Sequence, residues 1–367
     1  MRTKAAVGRP VVVKVGSSSL ASPGGGINRD GLIRTVTQVS DLWSRGHPTV
    51  LVSSGAVAAG LSIMGLTRRP ADVPGLQAAA AVGQGKLMES YSGEFSKVGL
   101  IVGQVLITRD VVAERGQYLH AREAFERMLS LGIVPIVNEN DTVVVDELKF
   151  GDNDRLAAIV SHLVDAALLV ILTDTSGLYS NDPRLDGNAQ LITAVRDTDA
   201  VLDEIHRNHG RAGALGSGGV ATKIAAARMA AWSGIPTVIA AAEDGAAAAK
   251  AVAGEDVGTW IAPRENRLSA RKLWIAFGLP SWGRIHVDRG AARALTERGG
   301  SLLAVGVTGV DGDFSIGDAV EVIDADGGLL GKGLTGLGAS MLTKVAGRHT
   351  SEVGGEVIHR DDLVVLH

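Results

Sequence analysis

Val11-Val12-Val13-Lys14-Val15-Gly16-Ser17-Ser18-Ser19 is the stretch that decides how the chain folds. Its first five residues are short, continuous and largely β-branched, the mark of a strand buried on both faces. A lysine inside such a run is expensive to bury unless it meets an anion. Gly16 follows and permits a turn whose N–H groups can form an anion-binding nest. Two roles fit Lys14. It belongs to a lysine-and-backbone cradle for phosphate, or it is an edge-strand lysine whose stem carries the charge out to water.

The same sequence of strand, then polar cluster, recurs. Residues 50–52 lead to Ser53-Ser54-Gly55, residues 133–137 to Asn138-Glu139-Asn140-Asp141, and residues 167–172 to Thr173-Asp174. Residues 100–108 and 237–240 are further apolar runs. Helical spacing lies between them. Residues 30–44 carry Leu32, Ile33, Val36, Val39 and Leu42, and residues 121–131, 155–164 and 222–232 follow the same period. Strands alternating with helices predict an α/β fold, a mostly parallel sheet sandwiched by helices. Ligands of such sheets bind outside the carboxyl ends of the strands. Four polar clusters at four strand ends therefore predict one site on one edge.

Each cluster also has a plainer explanation. Ser53-Ser54 before an Ala-rich helix suits an N-cap, or an anion site at that helix's N-terminus. Asn138-Glu139-Asn140-Asp141 and Gly151-Asp152-Asn153-Asp154 suit an ammonium group, the water shell of Mg²⁺ or the orientation of a lysine. They also suit a polar loop with Asx-turns. Gly216-Ser217-Gly218-Gly219-Val220-Ala221-Thr222-Lys223 is a glycine-rich loop opening a helix, and it is not a Walker A box. A lysine at a helix start is unfavourable by ~0.3–1 kcal/mol unless an anion joins it.

Bulk properties narrow the function. At roughly 150 residues per domain, 367 residues predict two domains. With 46% hydrophobic and 21% charged residues, the chain can bury a large core without staples. It has no cysteine, which excludes disulfides, thiolate nucleophiles and Cys-ligated metals, and fits a cytoplasmic location. The first ten residues lack the apolar stretch of a signal peptide. The longest apolar run, residues 166–172, is far short of the ~20 needed to span a membrane. A net charge of −4 supplies no global field for nucleic acid or an anionic membrane. His47, His120, His162, His206 and His209 show no zinc-ligand spacing and no Ser-His-Asp order.

The texture changes after Ala262. Residues 263–280 hold Arg264, Arg267, Arg271 and Lys272 between two prolines and suit a linker. From Ser281, strand-like pieces at 284–287, 319–323 and 364–366 alternate with turn signals at 310–313 and 324–328. The expected parts are an α/β domain over 1–262, a linker over 263–280 and a small β-rich domain over 281–359.

Val13-Lys14-Val15-Gly16-Ser17-Ser18, Val52-Ser53-Ser54-Gly55-Ala56, Val137-Asn138-Glu139-Asn140-Asp141, Gly151-Asp152-Asn153-Asp154, Leu172-Thr173-Asp174-x-x-Gly177-Leu178-Tyr179 and Gly218-Gly219-x-x-Thr222-Lys223 together resemble the amino acid kinase family. The resemblance covers about the first 260 residues, in order and spacing, and is nearest to the branch that phosphorylates glutamate. The two acid/amide clusters are its most diagnostic part. The tail resembles a PUA domain.

The resemblance implies ATP with Mg²⁺ as the donor and the side-chain carboxylate of L-glutamate as the acceptor, the first step of proline synthesis. It implies that Lys14 and Lys223 hold the β- and γ-phosphates and that Asp154 orients both. It places the nucleotide on Thr173, Asp174, Ser217, Gly218, Gly219, Val220, Ala221, Thr222 and Lys223, and glutamate on Ser54, Asp141 and Asn153. Proline is implied as a feedback inhibitor, and a homo-oligomer is expected. Ser217, Val220 and Ser17 depart from the residues common in the family but keep hydroxyl and backbone chemistry. Rival functions are another acceptor on the same fold, or RNA binding through the C-terminal domain. Residues 281–367 carry eight Lys/Arg against twelve Asp/Glu, the wrong sign for a phosphate backbone.

Overall fold

A computed structural model of the chain describes residues 2–22, 25–112, 114–143, 152–196, 217–348 and 355–366. Gly151, Gly216, His206 and His209 lie outside the described residues. The chain forms two compact units, Met1–Arg267 and Leu268–His367.

Among the described residues, the first unit is built on eight strands: β1 (Val11–Val15), β2 (Thr49–Ser53), β3 (Ile101–Ile107), β4 (Ile133–Glu139), β5 (Leu168–Thr173), β6 (Ala194–Val195), β7 (Thr237–Ala241) and β8 (Thr259–Ile261). Their order is β3-β4-β2-β1-β5-β7-β8-β6. The sheet is parallel from β3 to β7, and β8 runs against β7. The chain leaves β1 towards β2 and leaves β5 on the opposite side, so the order reverses between β1 and β5. That reversal opens the crevice in which α/β sheets hold ligands. Register levels the strand ends there: Val15 lies opposite both Ser53 and Leu172, and Thr173 opposite Ala241.

The pleat then sorts the side chains of β1. Val11, Val13 and Val15 pack with helix α2 (Arg29–Ser44) and helix α4 (Val73–Lys97). Val12 and Lys14 take the other face by alternation. That face meets helix α6 (Asp152–Leu163), which packs on helix α7 (Ser217–Trp232). Lys14 is therefore sent towards the two helices that carry Asp154 and Lys223.

Several expectations change. Ile33 is exposed, because the stripe of α2 is carried by Leu32, Val36, Val39 and Leu42. Among the described residues β3 pairs with β4 alone, at the sheet edge, and it is not buried on both faces: Ile101 is 68% exposed. The Ala-rich helix expected after Ser53-Ser54 is helix α3 (Ala56–Ile63), and the long α4, where no element was expected, follows it. These two helices touch through glycine. A Cβ on Gly60 would lie 1.8 Å from the carbonyl oxygen of Ala79, and one on Gly83 the same distance from that of Ala56. Helix α5 (Arg115–Ser130) starts earlier than its apolar spacing implied.

The second unit is a five-stranded sheet. Its strands are β9 (Gly283–Val287), β10 (Val307–Gly312), β11 (Ala319–Ile323), β12 (Leu329–Leu334) and β13 (Leu363–Val365), in the order β10-β9-β11-β12-β13. The turn expected at 310–313 lies largely within β10. Residues expected in a linker form the helical pieces Ala270–Leu273 and Trp274–Gly278, which bury Leu273 and Ile275. Among the described residues, no helix is long and apolar enough to cross a membrane.

Candidate active site

The site grows from a carboxylate. Asp154, in the first turn of α6, is wholly buried. Its Oδ1 lies 2.6 Å from Nζ of Lys14, itself 3% exposed. Its Oδ2 accepts a hydrogen bond from Thr222 Oγ1 at 2.8 Å and lies 3.5 Å from Nζ of Lys223. Residues far apart in sequence, on β1 and α7, thus meet on one acid from α6.

Electrostatics follow from that meeting. Burial pulls the Lys14 ammonium below its ordinary pKa, opposed by Asp154 and reinforced by Lys223. Burial alone would raise the Asp154 carboxyl. The charges of Lys14 and Lys223, with hydrogen bonds from Lys14 and Thr222, outweigh it, and the pKa is lowered. One buried carboxylate faces two ammonium groups. The cluster keeps a positive charge that a phosphate group can neutralise.

The glycine-rich segment is helical rather than a loop, since α7 begins at Ser217. The Ala-rich sequence carries the helix back through the glycines. Lys223 consequently sits one turn in, with Nζ also donating to the carbonyl of Gly219 at 3.1 Å. A cation near a helix N-terminus is disfavoured, and here Asp154 compensates it. Just past β1, a Cβ on Gly16 would stand 3.4 Å from Lys14 Nζ, so glycine keeps the ammonium approachable.

A cleft of about 250 Å³ adjoins the cluster. Thr173, Asp174, Gly219, Val220 and Lys223 line it, together with Leu178, Tyr179, Asp182 and Arg184. Thr173 Oγ1 donates to Asp174 Oδ1 at 3.0 Å. Arg184 forks onto Asp182 at 3.0 and 2.8 Å and stiffens the wall. Thr222 turns its hydroxyl to Asp154, and Ala221 precedes it in α7 without lining the cleft. The side chain of Ser217 lies outside the described residues, and Gly218 contributes backbone alone.

On the other side of the cluster the amides collect. Asn153 Nδ2 donates to Ser53 O at 3.0 Å, Ser54 Oγ at 3.0 Å and Asn138 Oδ1 at 2.9 Å. Neither serine caps α3. The cap is Gly55, at φ +104°, and Ser53 Oγ instead meets the Tyr91 hydroxyl at 2.8 Å. Burial pushes that hydroxyl's pKa up, opposed by the bond to Ser53. Asp141 occupies the turn after β4 and is half-buried. Its charge acts on Arg69, whose guanidinium is pulled down by burial and held up by Asp141.

The sequence pattern missed Gln84, Tyr91, Arg69, Asp182 and Arg184. The first two ride on the unread helix α4. Asp182-Pro183-Arg184, just past the Gly177-Leu178-Tyr179 motif, was a visible turn signal.

The amino acid kinase family matches residues 9–241, and the PUA domain matches residues 283–356. Similar curated proteins span the whole chain. A glutamate 5-kinase of Frankia casuarinae is 48% identical over 98% of this chain and 97% of its own length. One of Marinomonas sp. is 44% identical over 100% of both, and one of Streptomyces coelicolor is 44% identical over 98% and 97%.

Proposed function

Because the chain belongs to the amino acid kinase family and is similar along its whole length to glutamate 5-kinases, we propose that it moves the γ-phosphoryl group of ATP to the side-chain carboxylate of L-glutamate. The products are ADP and L-glutamyl 5-phosphate, in the first step of proline synthesis. The observation that carries this reading is the buried Asp154 between Lys14 and Lys223, beside a cleft of about 250 Å³.

A glutamate side chain has an unperturbed pKa of about 4.3, so it arrives as an anion and needs no general base. The barrier is repulsion between two anions. Phosphoryl transfer is served chiefly by positioning and charge stabilisation. Lys14 and Lys223 supply the charge, and Asp154 holds both at fixed positions. An acceptor oxygen bonds to the γ-phosphorus as the bond to the β,γ-bridging oxygen breaks, and the electron pair leaves with ADP. Thr173, Asp174 and the start of α7 hold the nucleotide. Ser54, Asn153 and Asp141 hold the amino acid.

Mg²⁺ enters as part of the nucleotide substrate. Among the described residues no group of three or more His, Asp or Glu is placed to hold a metal ion, and Asp154 is already neutralised by lysines. Inhibition by proline near the acceptor site, a homo-oligomeric state and a cytoplasmic location belong to the same proposal. ADP release, measured with and without glutamate, tests it. A glutamate-dependent rate with trapping of an acyl phosphate by hydroxylamine is expected. A rate indifferent to glutamate but stimulated by another acceptor would replace the substrate and keep the fold.

A further inference from the structure

We propose that Gln84 is a positioning residue for the amino-acid acceptor, setting the amide of Asn138 and, through it, that of Asn153. The inference rests on the reading above, in which Asn153 and Ser54 hold the acceptor. Gln84 sits on α4, 8% exposed. Its Oε1 accepts from Asn138 Nδ2 at 2.9 Å. That bond turns Asn138 Oδ1 the opposite way, where it accepts from Asn153 Nδ2 at 2.9 Å and from the backbone N–H of Glu139 at 2.9 Å.

The relay matters because Asn153 has more acceptors than hydrogens. Its Nδ2 carries two hydrogens, yet three oxygens stand within 3.0 Å: Ser53 O, Ser54 Oγ and Asn138 Oδ1. The position of Asn138 decides how the two hydrogens are shared. It thereby decides where the Asn153 carbonyl points and whether the Ser54 hydroxyl hydrogen is free for a ligand. The Glu139 N–H can hold Asn138 Oδ1 by itself, but without Gln84 the Asn138 Nδ2 donor would be buried and unpaired, which favours rotation of the amide.

Gln84 is also a poor choice for stability alone. Its Nε2 is buried with no hydrogen-bond partner among the described residues, a cost that a methionine or leucine would avoid. Only the accepting half of the amide is used, and that half faces the substrate network. The long helix α4 is thus tied to the acceptor site at Asn138 as well as at Ser53, through Tyr91.

Steady-state kinetics of the full chain test the proposal. Gln84→Met keeps length and volume and removes the acceptor. It should raise KM for glutamate about tenfold and leave KM for ATP within about twofold, the split expected when one buried hydrogen bond near the acceptor is lost. In an Asn153→Ala background the same change should add less than about twofold, since a residue acting through Asn153 is non-additive with it. Gln84→Glu, assayed at mildly acidic pH where burial favours the protonated carboxyl, keeps an accepting oxygen and should return KM to within about threefold of wild type. An unchanged KM for glutamate in Gln84→Met, a parallel rise in both KM values, or full additivity with Asn153→Ala would each overturn the positioning role. The wild-type rate with and without glutamate tests the activity separately. Its failure would overturn both, whereas a working wild type with an indifferent Gln84 overturns only this inference.

Discussion

Nζ of Lys14 lies 2.6 Å from Oδ1 of Asp154, with both side chains out of solvent, whereas Lys223 stands 3.5 Å from the same acid and keeps 15% of its side chain exposed. The two lysines share a task and differ in what depends on them. In the proposed reaction each is a charge donor to the transferring phosphoryl group, and loss of such a donor costs ~3–4 kcal/mol of transition-state stabilisation. Lys14→Ala and Lys223→Ala should therefore each lower kcat by about a hundred- to a thousandfold. Stability should separate them. Lys14→Ala strands a buried carboxylate and should cost on the order of 3 kcal/mol, and Lys223→Ala under about 1 kcal/mol. Urea unfolding of both variants checks this. Equal midpoints would mean that Asp154 is not held mainly by Lys14.

The lowered pKa of Asp154 predicts an acid signature. Its folded value lies below its unfolded one, near 3.9, so the unfolded chain takes up the proton first as acid is added. The stability it contributes is complete above the unfolded value and disappears as pH falls through the folded value. Asp154→Asn should be clearly less stable than wild type at pH 6, and the gap should narrow as pH falls below the unfolded value of about 3.9. Denaturant titrations across that range measure it. A gap that widened in acid would contradict the ion pair.

Much of this arrangement was legible before any coordinates. The four polar clusters follow β-branched runs, and the register of β1, β2 and β5 does bring their ends level. Lys14 inside an apolar strand announced a buried partner, and that partner is Asp154. The Ala-rich helix after Ser53-Ser54 is legible as α3, but α4 is not. Where α4 meets α3 its buried positions are Ala79, Ala80 and Gly83, because close contact at Gly60 and Gly83 leaves no room for larger residues, and these small positions break up the spacing of Leu76, Leu87, Tyr91 and Phe95. Gln84 and Tyr91 are hidden with that helix. The glycine segment before Lys223 reads as a loop in the sequence for a related reason. Glycine disfavours a helix only by about 1 kcal/mol per residue, and the Ala-rich sequence behind it prevails.

That tight helix pair makes its own prediction. A Cβ on Gly83 would sit 1.8 Å from the carbonyl of Ala56, in backbone that cannot rotate aside. Gly83→Ala must push α3 from α4 and should cost about 1–3 kcal/mol, the usual penalty of overpacking. α3 follows directly on Ser54 and Gly55, so the displacement also reaches the acceptor side. Thermal unfolding should show a lower Tm, and KM for glutamate should rise more than KM for ATP. A variant as stable as wild type would mean that the helices pack less closely than described.

Asp141 carries the last prediction. It is half-buried in the turn after β4, near the guanidinium of Arg69. A bound amino acid presents an ammonium and a carboxylate on one carbon, and an acid beside a base is the complementary pattern. Hydrogen bonds to charged groups contribute ~1.5–3 kcal/mol, or roughly ten- to a hundredfold in affinity. Asp141→Ala should raise KM for glutamate by that factor while KM for ATP stays put, because the cleft proposed for the nucleotide is lined from β5 and α7, whereas the amide network joins β2, β4 and the start of α6. Asp141→Asn, which keeps an accepting oxygen without the charge, should fall between wild type and Asp141→Ala. If both variants kept the wild-type KM for glutamate, Asp141 would be a turn residue, and the ammonium would have to be held by Asn153 and its neighbours alone.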